Sequence, residues 1–349
     1  MLDKLISASL ALVAPVALAG RATAPAPAAP AADAGPSIGA DFPDPAVLKA
    51  RDGFYYVYAT QSGSPGAMTN IQSARSRDLV RWERLGDALP VKPGWASRTQ
   101  DFWAPHVVED GGRYILYYSA KPDAALDDPK RGLCLGVATA SRPAGPFRDS
   151  GAPLQCGPGF VNIDPMAFDD PATGRKLLYW GSGFEPIRVR ELAPDRLSFA
   201  PESRAVELVR PARSDSPDRY QRLVEGAWVI RRGGWYYLFY SGDNCCGKDA
   251  HYAVMVARSR SATGPFQTLA EATGAASSVI LERDARWIAP GHNSVATDSR
   301  GRDWIVYHAV DSRRPRERAS DDVNTRRVML VDRLVWRRGW PRVVRRAGP

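Results

Sequence analysis

Five times along the chain a glycine-containing turn is followed by a short run rich in aromatic and β-branched residues: "DGFYYVYAT", "GGRYILYYSA", "TGRKLLYWGS", "GGWYYLFYSG" and "RGRDWIVYHA". The marker glycines Gly53, Gly112, Gly174, Gly234 and Gly301 are separated by 59, 62, 60 and 67 residues, a period of about 60. A further strand-like segment follows in each unit: "IQSARSRD", "LCLGVATASRPAGPF", "IRVREL", "YAVMVARSRSATGPF" and "RRVMLVDRLVW". Short alternating or aromatic strands joined by tight turns, with hardly a three-turn helical pattern anywhere, predict an all-β fold. Five such units fit a single-domain five-bladed β-propeller, each blade a four-stranded sheet around a central channel.

The first residues stand apart from this pattern. Met1 to Lys4, the apolar run "LISASLALVAPVALA" and the "ALA" before Gly20 read as a secretory signal peptide over residues 1–19. The run is shorter than the roughly 20 residues of a membrane-spanning helix, so no membrane association is expected. The Ala/Pro tract of residues 20–37 has no large apolar side chain to bury and reads as a linker, which leaves residues 38–349 for the propeller.

Export, to the periplasm or the outside, implies oxidised cysteines. Cys134 and Cys156 are a plausible bridge, and the adjacent Cys245 and Cys246 allow a vicinal disulfide. Zinc binding by these cysteines is disfavoured, because no C-x-x-C pair or nearby histidine pair has ligand spacing. Otherwise composition is ordinary, with 44% hydrophobic and 24% charged residues, and excludes a disordered or fibrous chain.

The repeat also points to where function lies. Counting back nine or ten residues from each marker glycine reaches Asp44, Trp103, Asp164, Glu225 and His292, each leading into apolar sequence. At that phase a residue begins the innermost strand of its blade and faces the channel mouth. Asp44 or Asp164 alone, both in Asp-Pro, is a turn residue, and a lone His292 is a buried histidine. Three acids at one phase of different repeats instead point to chemistry or a bound cation.

The segments "DFPDPAV", "WAPHVVEDGGRYILYYSA", "NIDPMAF", "YWGSGFEPIRVREL", "VEGAWVIRRGGWYYLFYSGDNCCG" and "PGHNSV" together resemble glycoside hydrolase family 43, over nearly all of the chain from about residue 38. The resemblance implies an inverting hydrolase of arabinose- or xylose-containing glycans. Asp44 then matches the general base, Asp164 the acid that tunes and orients the proton donor, and Glu225 the general acid. His292 matches the histidine that helps hold a hydrated cation, often calcium, at the propeller centre. Phe42 and Trp103 are expected to wall the sugar and Arg326 to reach it, while His106 stands where some relatives carry an acid.

Inversion requires an acid and a base on opposite faces of the sugar, roughly 6.5–9.5 Å apart, and different blades can hold them so. The apolar neighbours Leu223, Val224 and Trp228 suit a glutamate that must keep its proton near neutral pH. Members of the resembled family that act on xylosides often carry an additional C-terminal β-sandwich. A single domain with the last propeller strand near residue 344 therefore makes the resemblance point to arabinan or α-L-arabinofuranosides, with β-xylosidase as the alternative. A non-catalytic carbohydrate-binding propeller has no use for three acids at that phase. The net charge of +9 is scattered through the blades and no nucleic-acid motif accompanies it. That charge reads as a solvated surface, with attraction to anionic pectin as the accompanying hypothesis. A monomer acting on plant cell-wall polysaccharide is the expectation.

Overall fold

The computed structural model describes residues 35–64, 66–128, 130–181, 183–317 and 325–345. The signal-peptide reading, and the linker as far as residue 34, lie outside them. Five antiparallel sheets follow one another along the chain, each with four strands in sequential order. A small hairpin, Ser62–Ser64 with Ala67–Thr69, interrupts blade 1, and blades 2 and 4 carry an additional edge strand.

The innermost strands are Ala46–Lys49, Phe102–Asp110, Met166–Asp169, Val224–Arg232 and Trp287–Thr297. The five aromatic runs form the second strands, Tyr55–Ala59, Arg113–Ala120, Lys176–Trp180, Trp235–Asn244 and Asp303–Asp311. Their residues are almost all buried, because each second strand has sheet on both sides and a neighbouring blade on each face. Neighbouring innermost strands touch all the way round, including blade 5 against blade 1. At that last junction the chain's start is bound to blade 5: Ser37 N–H donates to Met329 O at 2.8 Å and Phe42 N–H to Arg327 O at 2.8 Å.

A ring of hydrogen bonds links the blades at the channel mouth. Asp44, Ala104, Asp164, Gly226 and His292 all adopt positive φ, between 44° and 64°. Each turns its N–H toward the preceding blade. Ala104 donates to Thr60 Oγ1 at 2.8 Å, Asp164 to Ser119 Oγ at 2.9 Å, His292 to Ser241 Oγ at 2.8 Å and Asp44 to His308 Nδ1 at 3.1 Å. Blade 3 departs from the rule. Gly181 stands at the acceptor position with φ +107° and no side chain, so Gly226 N–H donates to Asp164 Oδ2 at 2.9 Å. Isolated non-glycine residues with positive φ cost energy, and here the donated N–H bonds compensate them.

The plausible bridge is present, and the adjacent pair, which the sequence left open, is also bonded. Cys134 and Cys156 are directly paired across neighbouring strands, and Cys245–Cys246 is vicinal.

Candidate active site

The ring corrects the sequence count by one residue in two blades. Asp44, Asp164 and His292 occupy the positive-φ position, but Trp103 and Glu225 sit one residue before it, ahead of Ala104 and Gly226. Bulges lie between Trp103 and His106 and between Glu225 and Trp228, and blade 5 has one between Gly291 and Ser294. The offset therefore arises from the spacing between ring position and hairpin glycine, eight residues in blades 2 and 4 and nine in blade 5. The three acids still converge electrostatically: the charge of Asp44 raises both Asp164 and Glu225, and that of Glu225 raises Asp164.

Asp44 is 7% exposed and closely attended. Its Oδ1 lies 3.2 Å from Arg327 Nη1, 3.2 Å from His308 Nδ1 and 3.4 Å from His292 Nδ1, and its Oδ2 accepts from Thr60 Oγ1 at 2.5 Å. Burial alone would raise its pKa. Arg327, His292 and His308 outweigh that and hold the carboxyl well below the usual range.

Glu225 meets the opposite balance. Burial pushes its carboxyl up to about 7, with the charge of Asp44 adding to the rise and a hydrogen bond from Tyr252 and the charge of Arg327 opposing it. Asp164 is raised well above its ordinary value by burial and then by the charges of Glu225 and Asp44. Two buried acids that repel each other titrate as a pair, so together they retain a proton at neutral pH. One buried carboxylate kept ionised and another kept protonated are what general base and general acid chemistry require.

Tyr252 donates to Glu225 Oε1 at 2.6 Å, and burial raises its own pKa well above 10, so it stays a donor. Its ring lies parallel to His308 with centroids 5.9 Å apart. A Cβ at Gly291 would come within 2.0 Å of that ring, so only glycine fits there.

Two expected contacts are corrected. Arg326 does not face the site: its Nε and Nη2 donate to Arg314 O at 3.1 and 2.8 Å, and its Nη1 to Gly39 O. Arg327 faces Asp44 instead, because adjacent strand residues point to opposite faces. Phe42 is 0% exposed, packed in the core, and offers no wall to a sugar. Trp103 is half-buried at the mouth, its ring stacked on Phe160. His106 is buried, accepts Ala167 N–H at 3.3 Å and is held neutral by burial, its pKa lowered to about 3. It joins blade 2 to blade 3.

Among the described residues no group of three or more His, Cys, Asp or Glu is placed to hold a metal. The central cavity does present His292 and Asn293 beside Asp164. The Asn293 amide is buried with neither its oxygen nor its nitrogen hydrogen-bonded. One imidazole and one free amide oxygen suit a hard cation held mainly through water.

The glycosyl hydrolases family 43 model matches residues 35–341. The chain belongs to that family. It is 27% identical over 321 residues to the extracellular exo-α-(1→5)-L-arabinofuranosidase ArbA of Cellvibrio japonicus, covering 87% of this chain and 86% of that one. It is 29% identical to a β-D-galactofuranosidase of Aspergillus niger, covering 80% and 75%. The α-L-arabinanase of Cellvibrio cellulosa complexed with arabinohexaose superposes with a TM-score of 0.69 at 25% identity, covering 87% and 95%. The family 43 fold is a five-bladed propeller, as here, and its members are inverting glycoside hydrolases.

Proposed function

We propose that this family 43 enzyme is a secreted monomer that hydrolyses α-L-arabinofuranosyl bonds in arabinan or related plant cell-wall polysaccharide, with inversion. The observation that carries the proposal is the opposed electrostatics of Asp44 and Glu225, joined to relatives named for arabinan and arabinofuranosides. Asp44, held ionised chiefly by Arg327, takes a proton from water as that water attacks the anomeric carbon. Glu225 gives its proton to the leaving oxygen as the glycosidic bond breaks. Asp164 keeps the Glu225 proton in place by its proximity and its own raised pKa. A single displacement inverts the configuration.

In a neutral Glu225 the oxygen accepting from Tyr252 is the carbonyl oxygen, so the proton sits on Oε2 and faces the substrate. A hydrated divalent cation, calcium by its preference for oxygen, is proposed beside His292 and Asn293, where it supplies positive field to the acids. Export rests on the N-terminal apolar run and on the extracellular relative. β-Xylosidase action is the second reading, because the same acids serve either pentose.

Incubation of residues 38–349 with linear arabinan, branched arabinan, arabinoxylan and the nitrophenyl α-L-arabinofuranoside and β-D-xyloside tests the proposal. Arabinose or arabino-oligosaccharides are expected, absent from the Glu225→Gln protein, and xylose alone would overturn the arabinan reading. A folded protein that binds arabinan but cleaves none of the five would be a binding module.

A further inference from the structure

Two aromatic side chains are strongly exposed among the described residues, Phe160 at 56% and Phe184 at 77%. Single exposed apolar residues are ordinary on any surface, but these two are neither scattered nor distant from the acids. Phe160 lies four residues before Asp164, and its ring stacks on Trp103 with centroids 6.1 Å apart and planes 12° from parallel. Phe184 follows Gly183, whose carbonyl accepts the N–H of Val224, the residue before Glu225, at 3.0 Å. A Cβ at Gly183 would stand 3.5 Å from Phe160 Cβ, so the two loops touch. The segment that leads into Asp164 and the blade 3 loop bonded to the start of the Glu225 strand therefore each present a phenylalanine to solvent, Phe160 stacked on Trp103 and Phe184 in the adjoining loop.

The position of these rings in the propeller gives them a side. Asp44, Arg327 and His308 meet where blade 5 joins blade 1. Phe160 and Phe184 belong to blade 3 and Trp103 to blade 2, on the side where Asp164 and Glu225 stand. The leaving oxygen meets Glu225, so the glycan attached to that oxygen departs over the acid side, away from Asp44.

We propose that Trp103, Phe160 and Phe184 form a stacking platform for the leaving-group portion of an arabinan chain, beyond the first sugar past the cleaved bond. This deepens the arabinan reading and rests on it. A furanose ring presents C–H bonds on one face, and an aromatic face accepts them while the hydroxyls stay in water. Exposed aromatic surface beside a catalytic mouth is the signature of a site that something covers in use.

Phe160→Ala, Phe184→Ala and the double variant test the platform with two substrates, arabinobiose, which cannot reach it, and arabinohexaose, which can. Phe184 is so exposed that its loss leaves folding intact, which a thermal melt checks. Each single variant is expected to lower kcat/KM on arabinohexaose by roughly three- to tenfold through KM, with arabinobiose changed less than about twofold. Equal loss on both substrates, or no loss on arabinohexaose, would overturn the platform while the arabinan reading stood. A wild-type protein silent on both would overturn that reading and the platform with it.

Discussion

The Tyr252 hydroxyl donates to Glu225 Oε1 at 2.6 Å. A hydrogen bond of this kind favours the ionised carboxylate, so it opposes the burial that raises Glu225. The acid works only while protonated, and its activity falls as pH rises through about 7. Tyr252→Phe removes the donor and leaves the ring. Bonds to charged groups contribute about 1.5–3 kcal/mol, and 1.36 kcal/mol is one pH unit. The alkaline limb of kcat/KM against pH is expected to move up by roughly one to two units, with the acidic limb unmoved.

Arg327 acts on both sides of the reaction. It lowers Asp44 strongly and Glu225 to a smaller degree. Arg327→Met should therefore shift both limbs to higher pH, the acidic one further, since Asp44 must be ionised to serve as base. An expected loss of about ten- to a hundredfold in kcat/KM at pH 5, partly recovered at pH 7, distinguishes it from Tyr252→Phe. A profile lowered uniformly would count against the electrostatic account.

Ser119→Ala leaves the Asp164 N–H without its acceptor. A buried donor left unsatisfied costs about 1–3 kcal/mol, so denaturant unfolding should show a loss of that size. Activity should fall as well, because the N–H anchors the backbone of an acid. Stability lost with kinetics unchanged would separate the ring from the site.

Cys134→Ser with Cys156→Ser opens a bridge spanning 22 residues in sequence. Loop-closure entropy places its contribution at about 3 kcal/mol. The bridge lies on the third strand of blade 2, away from the inner strands, so the expected result is a lower melting temperature with kcat/KM preserved at 25 °C.

The blades were legible because each aromatic run must be buried on both faces, and that requirement writes itself as a repeat. The acids were legible for the same reason, since Asp44 and Asp164 recur at one phase. Arg327 was not. Two adjacent arginines differ only in which face of the strand they take, and the sequence read Arg326 as the one inside. Tyr252 and His308 sit within apolar strands where a tyrosine or histidine looks like core, and only the contact across blades reveals them. Phe42 was misread because an aromatic beside an acid suits a sugar wall and a core equally well until its burial is known.

At the junction between blades 5 and 1 no strand of one blade leads on into the next, as it does between the other blades. It is closed by Ser37 to Phe42 lying along blade 5, and Asp41 Oδ1 accepts the N–H of Arg327 at 2.9 Å. The segment that fastens the circle thus grips the residue that keeps the base ionised. Partial opening there would silence Asp44 while the other four seams still hold, so heat should abolish turnover at a lower temperature than it melts the sheets. Catalysis in this enzyme reports whether the latch is shut.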